Sequence, residues 1–590
     1  MAEIDASAAE QAPGVLLVYT HHNAPKQTAW GPLDAKDRFS RASPQLGSAR
    51  VRYHGEAVAF VVAQTFEQAR AAAQLISVRY AAEPGDYELE RTLAQAEKPP
   101  DHAGEDGART DSAIGDFAGA FAAAAEQVDA TYTTPCHIHA QMEQHATLAY
   151  WRDGRVHIHC AAQLLESAQQ AVANTLQIAP DKVRIVSRYV GGGFGGKLPV
   201  YGDVTLSALA ARQLGRPVKT ALTRQQMFHF TTHRSQTVQR VRLGAAADGR
   251  LTAIGHDAWQ HCARFDHFCE PTVMATRTLY AAPNRLTTQR LVKLDLPVAD
   301  STRAPGEAVG LLALEQAMDE LVEKLGLDPV ELRLRNEPAL DPETQLPFSS
   351  RQLVACLQQG AQRFGWRNRQ SLPGQTRQGR WLVGMGMAAA TRGNLLLPSK
   401  CSVALDKQGL LTVRMAMTDI GTGSYTVFTQ IAAEMMGLPM DRVRMLLGDS
   451  DFPETPGSGG SFGAASAGSG LFDACTNLRA ILAQRLGVAP AAAVFAQGRV
   501  SAAGKCETLG ALAGTLGLEA SGEIQPGAMT KKFSQQSYGA HFAEVAVDAD
   551  TGEVRLRRML GVFAAGRILN MKTATSQATG AMIWGVGAAA

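Results

Sequence analysis

The chain has 590 residues, of which 45% are hydrophobic and 19% charged, which allows several buried cores and argues against a disordered protein. Its 57 Lys and Arg nearly balance its 55 Asp and Glu, and the basic residues form no block, which argues against nucleic-acid binding. The 8 cysteines form no CxxC motif, so neither a disulfide framework nor a zinc or iron–sulfur ribbon is indicated.

Targeting and membrane signals are weak. The first residues are acidic, their only apolar run, GVLLV, is too short for a signal sequence, and no later run approaches the length of a membrane span. We therefore expect no membrane segment and no export signal. The expected location is the cytoplasm, or the periplasm by co-export with a partner subunit that carries a signal.

Three units follow one another along the chain. In residues 1–97, three strand-like runs (VLLVYT, AVAFVVA, ISVRY) alternate with a helical run (TFEQARAAAQLI). Residues 98–116 are rich in Pro, Gly and Asp and are predicted to be a linker. Residues 117–379 are predicted to be a large mixed domain, and residues 380–590 join strand-like runs through glycine-rich loops. The fold class is therefore α+β, that is, mixed α/β.

The 117–379 domain contains a well-specified pair of helices. Leu311, Leu314, Met318, Leu321 and Leu325 recur at spacings of three and four, which predicts one buried helical face. The next helix should begin at the LDPVEL stretch, with the Asp as N-cap, the Pro at the first position and the Glu two residues later completing a capping box.

The stretch YVGGGFGGKLPVYGD, residues 189–203, fits two nucleotide-binding patterns. The P-loop needs Ser or Thr after Lys197, but Leu198 and Pro199 follow. The dinucleotide-binding motif needs a helix that begins at the glycine turn, whereas the next helix, capped by Asp203 and ended by Gly215, begins well beyond Gly196. Both interpretations are disfavoured, although a dinucleotide-binding fold stays open.

Two further motifs have competing interpretations. GGSFG matches the GxSxG nucleophile elbow around Ser461, but a loop precedes it, the serine is expected to be unstrained, and chance is the favoured explanation. Cys136, His137, His139 and His145 could form a metal cluster. Because no second ligand pair occurs at zinc spacing, a structural role is favoured for them.

Three glycine-rich turns each follow a strand: YVGGGFGGK, DIGTGSY and GSGGSFGAASAGSG. Successive backbone N–H groups in such turns form anion-binding concavities, and the missing side chains allow close approach. The residues alone therefore predict a buried cofactor between domains, of a multi-phosphate or pterin type.

Six motifs in order carry a resemblance to a known family: YVGGGFGGK, THR at 232–234, STRAPGEA, TDIGTGSYT, GSGGSFGAA and GRILN. Together they resemble the molybdenum-binding subunits of the xanthine dehydrogenase and aldehyde oxidase family, and within it those of bacterial periplasmic aldehyde oxidoreductases. The resemblance runs from about residue 5 to Ala590. It implies a partial α/β-hammerhead domain followed by two molybdopterin-binding domains, the last of them incomplete.

The resemblance also implies the cofactor and its ligands. The expected cofactor is a molybdenum-molybdopterin cytosine dinucleotide, whose dithiolene rather than a protein side chain holds the metal. Gln163 matches a glutamine that contacts the molybdenum oxo group, Gly193 and Phe194 match the loop beside the metal, and Arg392 matches an active-site arginine that orients substrate. The remaining expected cofactor contacts are Arg303, Ile420, Gly421, Thr422, Gly463, Ala464, Arg567, Ile568, Leu569, Asn570, Met571, Lys572, Thr573 and Gln577.

The implied reaction is the oxidation of aldehydes to carboxylic acids with oxygen from water. Electrons would leave through a 2Fe-2S subunit and an FAD subunit in a heterotrimer, and a cofactor-insertion chaperone is a further expected partner. Residues around the RAPG loop favour aldehydes over xanthine. The alternatives are a purine-oxidising hydroxylase, a cofactor-binding or assembly protein without turnover, and an NAD(P) dehydrogenase.

The same resemblance places the general base, a glutamate in a GVGE-type motif, downstream of WGVG at 584–587 and beyond Ala590. Glu143 and Glu307 lie in family motifs but not at the position of that base. We therefore expect a chain that is truncated at both ends and inactive as given.

Overall fold

The computed structural model describes residues 1–31, 38–101 and 109–589. Residues 102–108 of the predicted linker lie outside these ranges. In the part of the chain that is described, no helix is both long and apolar enough to cross a lipid bilayer.

The N-terminal region pairs two small antiparallel sheets with short helices. Its strands are β1 Glu3–Asp5, β2 Val15–Thr20, β3 Ala59–Ala63 and β4 Ser77–Arg79, and its helices are α1 Ser7–Glu10, α2 Phe66–Ala73 and α3 Leu89–Thr92. β1 pairs with β4 and β2 with β3. The strands and the helix α2 confirm the alternation read from the sequence.

The middle region holds two sheets. Its strands are β5 Ser112–Ile114, β6 Glu126–Thr134, β7 Ala146–Arg152, β8 Arg155–Cys160, β9 Val183–Val186, β10 Val218–Ala221, β11 Thr237–Ala245, β12 Leu251–Ala263 and β13 Asn284–Leu294. Its helices are α4 Phe117–Ala122, α5 Leu165–Leu176, α6 Gly202–Leu214, α7 Arg224–His229, α8 Met274–Thr278, α9 Glu307–Leu325, α10 Pro329–Arg335 and α11 Leu353–Phe364. The strand orders are β10-β7-β8-β9 and β5-β13-β12-β11-β6.

The C-terminal region holds three sheets. Its strands are β14 Thr376–Gln378, β15 Trp381–Gly393, β16 Ser399–Leu405, β17 Leu411–Arg414, β18 Val443–Leu446, β19 Val494–Ala496, β20 Arg499–Ala502, β21 Lys505–Thr508, β22 Leu518–Ile524, β23 Gln536–Asp548 and β24 Val554–Ala564. Its helices are α12 Ser424–Met436, α13 Gly463–Leu486, α14 Leu509–Ala513 and α15 Met571–Ala589. The strand orders are β14-β15-β23-β24, β18-β17-β16-β22 and β19-β20-β21.

Two of these sheets share one topology. In the middle region, β10, β7, β8 and β9 follow one another, with β8 and β9 parallel and the other pairs antiparallel. In the C-terminal region, β22, β16, β17 and β18 repeat this order, with β17 and β18 parallel. Helices α5 and α12 form the two parallel crossovers. In each repeat, a loop precedes the crossover helix and another follows the last strand.

We call these connections the four cleft loops: 161–164 and 187–201 from the first repeat, and 415–423 and 447–462 from the second. Loops at the carboxyl ends of parallel strands lie at one edge of a sheet, which is where α/β folds bind ligands. The glycine-rich stretches predicted from the sequence all fall in these loops or directly after them.

The repeats meet where β9 and β18 end. Ser187 N donates to Gly448 O at 2.7 Å, and Ser450 N donates to Ile185 O at 3.0 Å. Gly448 has φ 78°, and a Cβ there would lie 2.3 Å from Ser187 O, so only glycine allows this backbone contact. The contact turns both pairs of loops toward one interdomain cleft.

Helix α9 links the middle and C-terminal regions. Leu314, Met318 and Leu321 have 0% exposure and share a core with residues of β11, β15 and β23. The predicted buried face is confirmed. Asp328 accepts from Val330 N at 2.8 Å and Glu331 N at 3.3 Å, which confirms it as the N-cap of α10.

The predicted cap of α6 is wrong. Helix α6 begins at Gly202 with Tyr201 at the N-cap position, and no side chain caps it. Asp203 instead points into the core, where Oδ2 accepts from Thr147 Oγ1 at 2.7 Å and Oδ1 has no hydrogen-bond partner among the described residues. The helix does begin well beyond Gly196 and does end at Gly215, which has φ 61°.

Replacing Asp203 by asparagine is expected to stabilise the protein at neutral pH. Burial raises the pKa of Asp203 above its ordinary value of 3.8, so folding disfavours the ionised form and stability falls as the pH rises above 3.8. Asp203→Asn should gain about 1 kcal/mol in urea unfolding at neutral pH. The gain should vanish below pH 3.8, where the carboxyl is protonated in both states. A gain that does not depend on pH would contradict this explanation.

Candidate functional site

Gln163 connects all four cleft loops and is 2% exposed. Its side-chain Oε1 accepts from Gly195 N at 3.0 Å and Lys197 N at 3.2 Å, and its Nε2 donates to Ser458 O at 2.7 Å. Its backbone carbonyl accepts from Thr418 Oγ1 and Ser458 N, both at 2.9 Å. The sequence singled out Gln163 but not Ser458 or Thr418, which belong to the second repeat.

Gly193 and Phe194 lie directly beside Gln163. A Cβ at Gly193 would lie 2.4 Å from the Oε1 of Gln163, so a side chain there would displace the carboxamide. Phe194 has φ 56°, a conformation that is unfavourable for a bulky residue. Its ring lies 5.1 Å from that of Trp584, between centroids, at an interplanar angle of 63°. The helix α15 therefore covers this aromatic residue, a contact that the sequence did not predict.

Arg303 lies under the same helix. Its Nη2 donates to Gln577 O at 2.7 Å, its backbone N donates to Phe194 O at 2.9 Å, and its guanidinium carbon lies 5.9 Å from the Phe194 ring centroid. No carboxylate of the described residues forms a salt bridge with it. Burial lowers the pKa of Arg303. The residue therefore offers a half-buried positive charge that still lacks a counter-ion.

Ile420, Gly421 and Thr422 form a turn organised by Asp419. The Asp419 Oδ1 accepts from Gly421 N at 2.9 Å and Gly423 N at 3.2 Å, and its backbone carbonyl accepts from Val190 N at 3.2 Å. These bonds tie the turn to the first glycine loop. Asp419 is not among the residues predicted from the sequence, although an Asp before alternating glycines is a signature of such turns.

Gly463 and Ala464 begin the 24-residue helix α13, whose N-cap makes no side-chain hydrogen bond. A Cβ at Gly463 would lie 2.5 Å from Met417 Cε, so the helix end packs tightly against the neighbouring cleft loop. The first N–H groups of an uncapped helix carry a partial positive charge and favour anions. Ser458 of the preceding loop is hydrogen-bonded to Gln163, which places the N-terminus of α13 near Gln163.

The predicted run 567–573 is only partly brought into the cleft. Asn570 Nδ2 donates to Gln430 Oε1 at 2.9 Å, and its Oδ1 caps α15 by accepting from Thr573 N at 3.0 Å. A Cβ at Gly423 would lie 2.6 Å from Thr573 Cγ2, so Thr573 touches the cleft loop 415–423. The other predicted residues of the run are solvent-exposed: Arg567, Ile568, Leu569, Met571 and Lys572. Their role as cofactor contacts stays a prediction.

Arg392 forms an ion pair. Its Nη1 lies 2.7 Å from Oε1 and 2.8 Å from Oε2 of Glu307, the first residue of α9. Glu307 comes four residues after Arg303, so the Arg392–Glu307 pair lies at the end of the loop that carries the Arg303 guanidinium.

The four proposed metal ligands of residues 136–145 do not come together. His139 Nε2 contacts Ser301 O at 3.1 Å, and His145 Nε2 contacts Gln141 Nε2 at 3.0 Å. The only described group of metal-ligand type is instead formed by Cys136 with His233 and His261.

This Cys–His group is better explained as structural. Gln236 N donates to His261 Nδ1 at 3.2 Å, which places the ring proton on Nε2, and that atom lies 2.8 Å from His233 Nε2. A metal bound at Nε2 would need a proton on Nδ1, which faces a donor rather than the usual acceptor. Burial lowers the pKa of His233 to about 3 and that of His261 to about 4, so the neutral pair persists at ordinary pH.

Ser461 does not lie on a strand-to-helix elbow, because it falls near the end of the loop 447–462, far from the end of β18 at Leu446. Its φ of 59° is unfavourable for serine, so the expectation of an unstrained residue is wrong. The strain belongs to the glycine-rich loop that leads into α13.

The Glu143 carboxylate contacts residues at both ends of the first glycine loop. Its Oε2 accepts from Gly191 N at 2.7 Å and lies 2.5 Å from Nζ of Lys197, whose side chain is 0% exposed. Burial lowers the pKa of Lys197, and the Glu143 charge opposes that shift. The lysine of the apparent P-loop is therefore a structural cation.

Removing the Glu143 charge is expected to destabilise the fold. Glu143→Gln leaves the buried Lys197 charge unpaired, which should cost about 2 kcal/mol in urea unfolding, less than for a fully buried pair because Glu143 is partly exposed. The control Glu143→Gln/Lys197→Met removes both charges and should recover most of that loss. Equal losses in the single and double variants would contradict the pairing.

The uncapped end of α13, the Arg303 guanidinium and the turn at Gly421 together offer hydrogen-bond donors and positive charge. Gly421 has φ 97°, and a Cβ there would have no atom of the described residues within 4 Å apart from those of its chain neighbours, so the turn leaves open space. Glu143, Glu307 and Asp419 already have partners. This donor set fits a polyanionic cofactor that carries phosphates.

Comparisons with known proteins agree with this geometry. Residues 1–84 match the a/b hammerhead domain of aldehyde oxidase and xanthine dehydrogenase, and residues 97–337 and 359–590 match molybdopterin cofactor-binding domains. The Escherichia coli K12 aldehyde oxidoreductase molybdenum-binding subunit PaoC is 45% identical over 99% of this chain and 78% of its own length. The putative E. coli xanthine dehydrogenase molybdenum-binding subunit XdhA is 28% identical over 98% of this chain and 81% of its own length.

Solved structures share the fold. Quinoline 2-oxidoreductase from Pseudomonas putida 86 matches with a TM-score of 0.85 at 23% identity, over 98% of this chain and 79% of its own. The aldehyde oxidoreductase of Desulfovibrio gigas matches with a TM-score of 0.82 at 24% identity, over 97% of this chain and 64% of its own. The predicted mixed fold of a hammerhead domain and two molybdopterin-binding domains is confirmed. The chain belongs to the xanthine dehydrogenase and aldehyde oxidase family of molybdenum hydroxylases.

Proposed function

We propose that this chain is the molybdenum-cofactor-binding subunit of an aldehyde oxidoreductase that oxidises aldehydes to carboxylic acids with oxygen from water. The observation that carries the proposal is the convergence of four cleft loops on Gln163, beside an uncapped helix end and an arginine that pairs with no carboxylate of the described residues. The 45% identity to an aldehyde oxidoreductase subunit over 99% of the chain supports the substrate class.

The bound cofactor, proposed to be the cytosine dinucleotide form of molybdenum-molybdopterin, supplies the redox and oxygen-transfer chemistry. Gln163 keeps one N–H for the cofactor, because its carboxamide nitrogen has two and, within the described residues, donates only one, to Ser458 O. Gly193 has no side chain, so the cofactor can approach the Gln163 carboxamide closely. The ring of Phe194, which packs against Trp584, shields this side of the carboxamide from water. The protein thus supplies a fixed and buried hydrogen-bond donor.

Phosphate binding is assigned to the positively charged side chain of Arg303 and to the backbone N–H groups of the glycine-rich segments in the cleft. The first N–H groups of α13, at Gly463 and Ala464, and the turn Ile420–Thr422 present backbone donors. Arg303 adds a positive charge, and its hydrogen bond to the backbone carbonyl of Gln577 fixes its position. Residues 567–573 extend this assignment along the start of α15.

Arg392 is assigned to substrate orientation. The Glu307 carboxylate holds its guanidinium in one place, so it can donate to a substrate oxygen without first being ordered. Glu307 and Glu143 both serve as ion-pair partners, of Arg392 and Lys197. We therefore assign neither of them the role of general base.

Electrons are proposed to leave through 2Fe-2S and FAD subunits of a heterotrimer. All 8 cysteines are free, and no group of three or more of them comes within ligand distance of a common point in the described residues, so they give no cluster-binding set there. A redox chain must therefore lie on partner subunits. A chaperone that inserts the cofactor is a further proposed partner.

Protein purified from a host that makes molybdenum cofactor should carry stoichiometric molybdenum and release CMP on acid hydrolysis. Elemental analysis and nucleotide chromatography measure the two quantities. Molybdenum without CMP would refute the dinucleotide form alone. Protein that lacks molybdenum, from a host in which a known molybdenum enzyme is loaded, would refute the proposed function.

The complete complex, assayed on benzaldehyde and xanthine side by side, should turn over benzaldehyde with the higher kcat/KM. The margin is expected to be about 100-fold or more, because a pocket suited to an aldehyde leaves the polar groups of a purine unpaired. An artificial electron acceptor replaces the physiological one in both assays. Faster xanthine turnover would favour the purine-oxidising alternative.

A further inference from the structure

A buried ion pair lies behind the loop that carries Arg303. Arg234, from the THR motif, is 2% exposed and Glu270 is 0% exposed, and the Arg234 Nε lies 2.9 Å from the Glu270 Oε1. Neither residue has a role in the proposed function. Such pairs are costly to bury, so a pair in this place calls for an explanation beyond stability.

Arg234 binds the backbone of the loop directly. Its Nη2 donates to the carbonyl oxygens of Thr302 at 2.5 Å, Arg303 at 2.7 Å and Ala304 at 3.3 Å. Three successive carbonyls can point at one nitrogen only if the backbone turns sharply, and Ala304 does so at φ 55°. The guanidinium therefore stabilises a conformation that the loop would not favour alone.

Glu270 fixes the far end of the same loop. Its Oε1 accepts from Gly306 N at 2.8 Å, at the start of α9. Gln260 holds the Glu270 backbone at two points, donating to its carbonyl at 2.8 Å and accepting from its N–H at 3.0 Å. A Cβ at Gly306 would lie 2.3 Å from Pro271 O, so the two segments are in close backbone contact.

We propose that the Arg234–Glu270 pair is a positioning element that fixes the loop 302–306 so that Arg303 points into the cofactor cleft. This inference rests on the proposed function, in which Arg303 meets the anionic groups of the cofactor. Lysine cannot replace Arg234, because a single ammonium nitrogen does not offer a planar fork that reaches both the carboxylate and the three carbonyls.

The test compares Arg234→Lys, Arg303→Ala, their double variant and Arg333→Lys, all in the complete protein from a cofactor-producing host. Arg333 is a matched control, since it pairs with Glu315 at 2.9 Å with side chains 0% and 7% exposed but lies in α10. Two quantities are measured: molybdenum per chain, and hydrogen–deuterium exchange of peptides that cover 302–306.

Arg234→Lys and Arg303→Ala should each lower molybdenum per chain about tenfold, and the double variant should lower it no further, because Arg234 acts through Arg303. The amides of Arg303 and Gly306 should exchange faster in Arg234→Lys. Arg333→Lys should lower the unfolding temperature while retaining its molybdenum and its protected loop. Should Arg234→Lys fail to fold, Glu270→Gln, which keeps an acceptor for Gly306 N, is expected to give the same pattern more weakly.

Three outcomes would each overturn the proposal. The first is a molybdenum loss in the double variant that equals the product of the two single losses, and the second is an unchanged molybdenum content in Arg303→Ala. The third is a molybdenum loss in Arg333→Lys as large as that in Arg234→Lys. Failure of the proposed function looks different, since the wild-type protein would then lack molybdenum. In that case the exchange of 302–306 still decides whether the pair fixes the loop.

Discussion

The contact between the ends of β9 and β18 is the constraint on which the cleft depends. Each repeat alone would present two loops at one sheet edge, as many parallel α/β units do. The hydrogen bonds of Ser187 with Gly448 and of Ser450 with Ile185 turn the two edges toward each other. Arg184 reinforces the junction through both carboxylate oxygens of Asp449, at 3.0 and 2.6 Å. Four loops then share one space, and Gln163 can bond to three segments besides its own.

The sequence predicted the local features of this arrangement well. Glycine-rich turns after strands, the late start of α6 and the N-cap Asp328 all depend on neighbours in the chain, and the structure contains them. Asp203 was misread because its position before a helical run suited a cap equally well. Its burial depends on Thr147, which is distant in sequence, and local patterns carry no information about such a partner.

The cleft itself was less predictable. Gln163, Gly193 and Phe194 came from a resemblance, and the contacts that give them a role, with Ser458, Thr418 and Trp584, cross between regions that are hundreds of residues apart. Lys197 shows the difficulty most clearly. Its sequence context suggested a phosphate-binding lysine, whereas its burial against Glu143 depends on a segment 54 residues away. Only the fold decides between these two uses of one residue.

Cofactor binding and domain association must be linked in such a cleft. Gln163 lies on the first repeat and its partners Thr418 and Ser458 on the second, so a ligand held by both repeats stabilises their association by its binding free energy. In the proposed function the cofactor also meets Arg303, whose loop leads into α9, and α9 packs between the middle sheet and β15. A cofactor that contacts Arg303 as proposed would therefore stabilise the core as well as the surface of the cleft. Glycines at 193, 306 and 448 make this possible, since each permits two backbone segments, or a backbone and a side chain, to approach within a distance that any Cβ would prevent.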